Sequence, residues 1–189
     1  VYGVLVGKKP IIFTNNDSGY DVALEFKKNG INPVVVDTRK DSKSSIIQEA
    51  KSLNINIKFF YGVVNSEGYK KVKSAIIGKL NKDKTGYETL ERISCDCICV
   101  SGNWTPTVHL ASQSGNKLKF EEKINAFVPN ASRQKESTIG SANGSFTLKE
   151  TLNSGFSKGY ELAKKINGQN IKSAVPTSNE KSYADHDKF

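Results

Sequence analysis

Residues 10–39 constrain the fold more than any other stretch of this sequence. An apolar run at 11–13 has the pattern of a buried strand, a helical pattern follows as far as Gly30, and a second apolar run ends at Asp37. A strand, a helix and a strand in this order form a right-handed unit with parallel strands, and such sheets bind nucleotides at the carboxyl ends of their strands. Asp37 follows Gly19 by 18 residues, which is about where dinucleotide-binding folds place the acid that holds a ribose 2′-hydroxyl.

The loop between this strand and this helix departs from the glycine fingerprint of such folds. In Gly-x-Gly-x-x-Gly the first glycine makes the turn, the second lets the backbone approach pyrophosphate, and the third packs the helix on the strand. Aligned on Gly19, the other two positions are Thr14 and Asn16. Asp17 puts a carboxylate where phosphate would bind, and Asp17 or Ser18 suits a helix cap. We therefore expect a well-capped Rossmann-type unit that has lost its nucleotide.

The alternative is NAD binding through the same loop. In that case the loop contacts the pyrophosphate and Asp37 holds the ribose, while Arg39 is placed to meet a 2′-phosphate, although Asp37 favours NAD over NADP. The candidate cofactor-binding residues in this part of the sequence are Thr14, Asn15, Asn16, Gly19, Asp37 and Arg39.

Length and composition bound the class of protein. A chain of 189 residues and 20.7 kDa makes one domain or one and a half. No window approaches the roughly 18 apolar residues of a membrane helix, and no signal peptide opens the chain. The chain has no methionine, so we expect a piece of a longer polypeptide. We expect a cytoplasmic protein with no membrane partner.

The formal net charge of +9 is typical of nucleic-acid binding, but the residue types argue against it. Arginine occurs only at positions 39, 92 and 133, so the other 25 of the 28 basic residues are lysine. A surface that binds nucleic acid would cluster bidentate arginines and stacked aromatic residues. We expect a solvated surface and no nucleic-acid partner.

Three cysteines alternate at positions 95, 97 and 99. Alternate residues of a strand share a face about 6.6 Å apart, which is too far for zinc ligation without bending the chain and poor for a disulfide. We expect small buried residues on a central strand and no metal site. An odd number of thiols without a signal peptide indicates a reducing compartment.

The rest of the sequence predicts a return to the sheet through a meander. A second helix (46–53) leads to a third strand (55–60), and two antiparallel turns are expected at 66–68 and 81–86. A strand at 87–93 and a fourth parallel strand at 95–100 follow.

The C-terminal half is predicted with fewer elements. Short strands are expected at 117–120 and 126–129, and Thr147 and Glu150 form a capping box before the longest helix, which ends at 167–168. The polar tail from 169 is expected to be a linker. His109 and His186 have no partner constellation, so we expect surface roles for both.

Two segments carry a resemblance to a known family. The first reads IIFTNNDSGYDVAL and is followed by VVVDTR; the second reads CDCICVSGNWTPTVHLASQSGNKLKF and is followed by AFVP and GSANGSFTL. Together they resemble the α subunit of bacterial heterotetrameric sarcosine oxidase over most of residues 3–167. Related amine and proline dehydrogenase complexes share this module.

The resemblance implies the activity of a whole enzyme, which oxidises sarcosine to glycine with FAD and covalent FMN and with oxygen as the final acceptor. The one-carbon unit passes to tetrahydrofolate on a further C-terminal domain of α, beyond residue 189. The implied partners are the β, γ and δ subunits and the remainder of α. No residue here resembles a catalytic group, so we expect this chain alone to be inactive.

The resemblance also extends to two-domain pyridine nucleotide-disulfide reductases, in which a second dinucleotide-type domain is inserted into the first. Residues 100–102 match the exit from that insert, which adds Ser101 and Gly102 to the candidate cofactor-binding residues. Residues 140–143 fall where reductases place a Gly-Asp pair on the flavin ribityl chain, but no Asp is present. Family α subunits bind NAD, and the glycine loop for its pyrophosphate would lie upstream of residue 1.

The predicted fold class is α/β, a three-layer Rossmann-like parallel sheet with an antiparallel β-meander. The predicted division is a dinucleotide-type domain at 1–107, a returning segment with the long helix at 108–168, and a linker at 169–189. We expect a non-catalytic scaffold within the α subunit. The alternatives are a working NAD-binding module and a docking domain whose apolar surface lies at 104–110 or on the 148–166 helix.

Overall fold

The computed structural model describes residues 4–41, 43–102, 104–167 and 174–178. The chain divides into two compact units, with the boundary between residues 103 and 104. None of the helices in the described residues is long and apolar enough to cross a membrane.

The first unit begins with the predicted strand, helix and strand, followed by a second helix and a third strand. Gly30 ends the first helix with a φ of 76°, a conformation that glycine adopts without strain. The elements in chain order are β1 (Pro10–Thr14), α1 (Ser18–Lys28), β2 (Val34–Asp37), α2 (Ser45–Ser52), β3 (Asn56–Phe59), β4 (Tyr61–Gly68), β5 (Val72–Leu80), β6 (Tyr87–Ser94) and β7 (Cys97–Ser101).

These elements form three layers. A parallel sheet of order β3-β2-β1-β7 lies in the middle, and the antiparallel meander β4-β5-β6 covers one of its faces. The helix-facing side of β1 buries Ile12 against Tyr20 and Ile47, and the meander-facing side buries Ile11 against Ile77. Both faces of the parallel sheet are therefore covered, as parallel sheets require. This architecture confirms the predicted fold class.

The first turn of the meander lies later than predicted. Residues 66–68 were expected to turn, but β4 continues through Gly68, which pairs with Val72 on β5. Gly68 has a φ of 147°, and a Cβ added there would lie 2.0 Å from the carbonyl oxygen of Lys71. Gly68 is therefore the last residue of β4, and the close approach to Lys71 requires a glycine there.

The cysteines do not occupy one face of a central strand, so that prediction is wrong. Cys95 precedes β7 and packs with the meander-facing cluster, whereas Cys99 packs against the helix-facing cluster. The chain bends at Asp96, whose carboxylate accepts hydrogen bonds from the backbone amides of Lys8 and Lys9, each at 2.8 Å. In the described part of the chain β7 is an outer strand.

The second unit contains both predicted strands and the long helix. Its elements are α3 (His109–Gln113), β8 (Leu118–Glu121), β9 (Ala126–Pro129), a 3₁₀ helix (Gly140–Asn143) and α4 (Leu148–Asn167). β8 and β9 pair as an antiparallel hairpin. The short helix α3 was not predicted, and His109 at its start is exposed. The expected linker at 169–189 and His186 lie largely outside the described residues, and 174–178 has no regular structure.

The capping box at the start of α4 is confirmed. The amide of Glu150 donates to Thr147 Oγ1 at 3.2 Å, and the amide of Thr147 donates to Glu150 Oε2 at 3.4 Å. The two side chains thus satisfy amides that the first turn of a helix leaves unpaired.

Candidate functional site

The eight candidate cofactor residues lie together at the carboxyl edge of the parallel sheet. Thr14, the last residue of β1, is in register with Asp37 on β2 and with Ser101 on β7. The loop 15–19, Arg39 and Gly102 follow these three strand ends. The topology thus brings together residues separated by more than 80 positions in the sequence. Whether they bind a nucleotide depends on what their polar groups already contact.

Asp37 is bonded on both oxygens to groups of this chain. Its Oδ1 accepts from the backbone amide of Arg39 at 2.9 Å and from Arg39 Nε at 3.1 Å, and its Oδ2 accepts from Arg39 Nη2 at 2.9 Å. Oδ2 also accepts from the Tyr20 hydroxyl at 2.7 Å. The Asp37 side chain is fully buried, with 0% exposure. A ribose hydroxyl would have to displace one of these donors to reach it.

Arg39 joins Asp37 to the loop. Its Nη1 donates to Asp17 Oδ1 at 2.9 Å, and the two side chains are 3% and 7% exposed. Arg39 thus carries one positive charge between two buried carboxylates. We call Asp17, Tyr20, Asp37 and Arg39 the buried ionic cluster.

The pKa values of Arg39 and Tyr20 shift in the direction that keeps the buried ionic cluster intact. Burial tends to lower the pKa of the Arg39 guanidinium, but hydrogen bonds and charges of Asp37 and Asp17 outweigh it and raise that pKa. Burial, the negative charge of Asp37 and the hydrogen bond to it raise the pKa of the Tyr20 phenol above its usual value. The guanidinium stays charged and the phenol stays protonated.

The loop 14–19 is closed by its own side chains. Thr14 Oγ1 accepts from the amide of Asn16 at 3.2 Å and donates to its carbonyl oxygen at 2.9 Å. Asn16 Nδ2 donates to the carbonyl of Gly102 at 2.7 Å, and Ser18 Oγ lies 2.9 Å from Ser101 Oγ. Thr14 and Asn16 are 2% and 1% exposed. The side chains of Thr14 and Asn16 therefore fill the space that two glycines leave open in the fingerprint.

Gly19 still has the role of the third glycine. A Cβ added at Gly19 would lie 2.6 Å from Thr14 Cβ and Oγ1, so this glycine lets α1 pack closely on β1. The alignment of the loop on Gly19 therefore has a structural basis.

The expected helix cap is different in the structure. Asp17 occupies the N-cap position of α1 but makes no side-chain hydrogen bond there, because its carboxylate binds Arg39. The Ser18 hydroxyl does not cap the helix either, because it donates to Asn16 Oδ1 at 2.5 Å. The same Asn16 oxygen also accepts from the backbone amide of Ser18 at 3.0 Å. Asn16 therefore supplies the acceptor that the sequence analysis assigned to Asp17 or Ser18.

Cys97 and Cys99 bring their sulfur atoms within 3.7 Å of each other on β7. The expectation that residues about 6.6 Å apart along a strand hold their thiols too far apart to converge is wrong, because the two side chains lean towards each other. Burial and the hydrogen bond to Cys97 raise the pKa of the Cys99 thiol to about 11. No group of three or more His, Cys, Asp or Glu side chains in the described residues could hold a metal ion.

The second unit has an open polar pocket of about 580 Å³. Its lining includes Asn143, the last residue of the segment that the resemblance associates with the flavin ribityl chain, and Gly144. Lys119, Lys123 and Lys158 also line it. The apolar residues predicted for a docking surface are partly exposed: Trp104 by 55%, Leu110 by 80% and Ile166 by 81%.

Comparison with solved structures identifies the class of proteins that share this fold. Thioredoxin reductase of T. acidophilum matches 72% of this chain and 47% of its own chain, with a TM-score of 0.52 and 17% identity. The bacillithiol disulfide reductase of Staphylococcus aureus matches 74% of this chain and 47% of its own, with a TM-score of 0.53 and 17% identity. The chain thus has the α/β fold of pyridine nucleotide-disulfide reductase-like proteins.

Sequence comparison with curated relatives points to one kind of protein. The chain is similar to the sarcosine oxidase subunit alpha of Corynebacterium sp. strain P-1, with 29% identity over 164 residues, and to that of strain U-96, with 28% over 156 residues. The subunit alpha of Rhizobium meliloti is 25% identical over 172 residues. These matches confirm the resemblance found in the sequence. They cover 82–87% of this chain but only 16–17% of the relatives. No family model matches the chain.

Proposed function

We propose that this chain is a non-catalytic scaffold domain of an oxidoreductase subunit of the sarcosine oxidase alpha type. Its carboxyl edge has the position of a dinucleotide site but is filled by its own side chains. The observation that carries this proposal is the buried ionic cluster, since the carboxylate of Asp37 is fully buried and bonded to Arg39 and Tyr20.

The energetics of the cluster support a structural role. Breaking a buried charge pair by removing one partner costs about 3–5 kcal/mol, because the remaining charge is left without compensation. NAD would have to separate Asp37 from Arg39 or Tyr20 to bind its ribose there, and its pyrophosphate would meet the Asp17 carboxylate and the Thr14 and Asn16 side chains. The residues at this edge therefore do not fit NAD, and we assign them no step in a reaction.

The role of the whole enzyme follows from the relatives and belongs to the same proposal. The relatives are named sarcosine oxidase subunit alpha, which supports oxidation of sarcosine by the complete protein. The formation of glycine with FAD and FMN and the transfer of a one-carbon unit to tetrahydrofolate are what the resemblance implies. Its partners would be the β, γ and δ subunits and the remainder of α. Within the chain, residues 1–107 would be the dinucleotide-type domain, 108–168 the returning segment, and 169–189 a linker.

Calorimetric titration of the purified chain with NAD tests the scaffold role directly. We expect no binding tighter than a dissociation constant of about 1 mM. Backbone amide chemical shifts of residues 15–19 are recorded in the same titration, and we expect them to stay unchanged. Sarcosine with added FAD is the matching activity test, and we expect no glycine formation.

Two variants make the titration decisive. Asp37→Asn removes the charge of the candidate ribose ligand, and Asp41→Asn removes an exposed carboxylate that pairs with Lys51 at the surface. NAD binding tighter than 1 mM that disappears in Asp37→Asn and persists in Asp41→Asn would overturn the scaffold proposal. Should Asp37→Asn fail to fold, the unaltered chain gives the answer. Chemical-shift changes on addition of NAD that are confined to the amides of 15–19 would then overturn the scaffold proposal.

The second candidate function is a working NAD-binding module. The topology favours it, because all eight candidate residues lie at the carboxyl ends of parallel strands, where sheets of this type bind nucleotides. It requires Arg39 or Tyr20 to leave Asp37 on binding, because both donate to its carboxylate.

A further inference from the structure

The thiols of Cys97 and Cys99 form a pair that the scaffold role does not use. Their sulfur atoms lie 3.7 Å apart, and each thiol is half-buried on β7. The third cysteine, Cys95, is 2% exposed and packs on the other side of the sheet. The chain therefore contains two converging thiols and one separate thiol, although the three alternate in sequence.

The separation of the two sulfurs fits a tetrahedral metal ion. A metal ion bonded to both at the zinc–sulfur distance of about 2.3 Å would subtend an angle of about 107° between them, close to the tetrahedral value. Both ligands are already placed, so binding requires no movement of the strand. Thiolates are the ligands that select zinc and similar soft ions over magnesium or calcium.

The two thiols lie at the edge of the parallel sheet, where both are partly exposed. β7 is an outer strand of the parallel sheet in the described residues, and Cys97 and Cys99 keep part of their surface exposed. No third His, Cys, Asp or Glu side chain completes a metal-binding group there within the described residues. A metal ion held by the two sulfurs would keep two open tetrahedral positions, one more than a catalytic zinc site with three protein ligands.

We propose that Cys97 and Cys99 together bind one divalent thiophilic cation of the zinc class, with solvent or an external ligand in its remaining positions. On binding, each thiol loses its proton, two sulfur–metal bonds form, and two protons leave to solvent. No electron is transferred, so the step needs no oxidant.

A disulfide between the same residues fits the structure less well. Its sulfur–sulfur bond is about 2.05 Å long and its Cα atoms are at most about 6.8 Å apart, whereas alternate residues of an extended strand stand about 6.6 Å apart. The sulfurs would have to approach by more than 1.5 Å from their separation of 3.7 Å, with the strand near the limit of the allowed Cα distance. Chelation satisfies the geometry that exists, and a disulfide would distort it.

Titration of the reduced, tag-free chain with Cd²⁺ tests the proposal, because thiolate–cadmium bonds absorb in the ultraviolet. We expect one ion per chain, two protons released per ion, and displacement by Zn²⁺. Loss of an outer-shell partner already lowers metal affinity about 10–100-fold, so Cys97→Ser and Cys99→Ser should each weaken binding at least tenfold. Cys95→Ser is the matched control and should leave the affinity unchanged.

The outcomes separate the pair from adventitious binding. Equal loss in Cys95→Ser, or unchanged affinity in Cys99→Ser, would overturn the proposal, as would a dissociation constant weaker than about 1 mM. Circular dichroism confirms that each variant is folded. Should a serine variant unfold, the ¹¹³Cd chemical shift of the unaltered chain counts the sulfur ligands directly: two support the proposal, and any other number contradicts it.

Discussion

Two ionic clusters with the same arrangement and opposite charges lie in different surroundings in the two units. In the first unit Arg39 lies between Asp17 and Asp37, and these side chains are 7% exposed or less. In the second unit Glu161 lies between Lys158 and Lys165 on α4, with side chains 32% to 67% exposed. We call the second group the exposed ionic cluster. Each has one central charge bonded to two opposite charges at 2.7–2.9 Å.

The difference in burial explains why the buried ionic cluster can fill a ligand position and the exposed ionic cluster cannot. Water screens the exposed ionic cluster, so its pairs contribute little to stability. The buried cluster has no water to replace a lost partner, so every member depends on the others. Under the proposed scaffold role, the buried ionic cluster is held firmly enough to keep a dinucleotide from the edge of the sheet.

Among the variants that test this comparison, Arg39→Met is expected to have the largest effect on stability. It leaves the carboxylates of Asp17 and Asp37 buried without a counter-charge, so we expect a loss of about 3–5 kcal/mol in the free energy of unfolding. The measurement is urea denaturation followed by circular dichroism.

Arg92→Met is the matched control for this loss. Arg92 pairs with Glu67 at 2.6 Å, but its side chain is 67% exposed, so we expect a change of at most about 1 kcal/mol. Equal losses in the two variants would show that burial does not distinguish the clusters, and the scaffold proposal would lose its energetic basis.

Tyr20→Phe sharpens the comparison by removing one hydrogen bond and no charge. The Tyr20 hydroxyl donates to Asp37 at 2.7 Å, and the residue is 0% exposed. Hydrogen bonds to charged groups contribute about 1.5–3 kcal/mol, and we expect a loss in that range by urea denaturation. Tyr69→Phe alters a residue that is 93% exposed and should leave the free energy of unfolding unchanged. A loss below about 0.5 kcal/mol in Tyr20→Phe would mean that another donor replaces the phenol.

The sequence predicted the backbone of the first unit because the signals there are local. The apolar run at 11–13, the helical period through α1 and the positive φ of Gly30 each follow from neighbours within a few positions. The capping box of Thr147 and Glu150 is local in the same sense. These elements formed where short-range rules placed them.

The features that the sequence did not predict depend on contacts between residues that are distant in the chain. Arg39 reaches Asp17 across 22 positions, and Asp96 binds the amides of Lys8 and Lys9 across 88 and 87 positions. One signal for the buried ionic cluster was available: arginine is rare in this lysine-rich chain, and its planar fork suits a buried site between two carboxylates better than lysine does.

Thr147→Ala tests how α4, the helix that carries the exposed ionic cluster, is held at its start. Removing the Thr147 hydroxyl leaves the amide of Glu150 without its acceptor, and loss of such a cap costs about 1 kcal/mol. The measurement is thermal unfolding. Thr147→Ser keeps the hydroxyl and should match the unaltered chain; a loss as large as that of the alanine variant would assign the effect to the methyl group instead.

Acid titration of the exposed ionic cluster gives the smallest expected effect. Hydrogen bonds from Lys158 and Lys165 lower the pKa of Glu161 from 4.5 to about 2. Because the folded pKa lies below the unfolded value, the contribution of Glu161 to stability is complete above pH 4.5 and is lost as the pH falls through about 2. Urea denaturation of the unaltered chain and of Glu161→Gln should therefore show a small difference at pH 6 that shrinks as the pH falls from 4.5 towards 2. Salt at 1 M should shrink that difference at pH 6, because water and ions reach both lysines. The loss caused by Arg39→Met should keep its size in the same salt, since neither reaches Asp37; a salt-dependent loss there would place the two clusters in the same class.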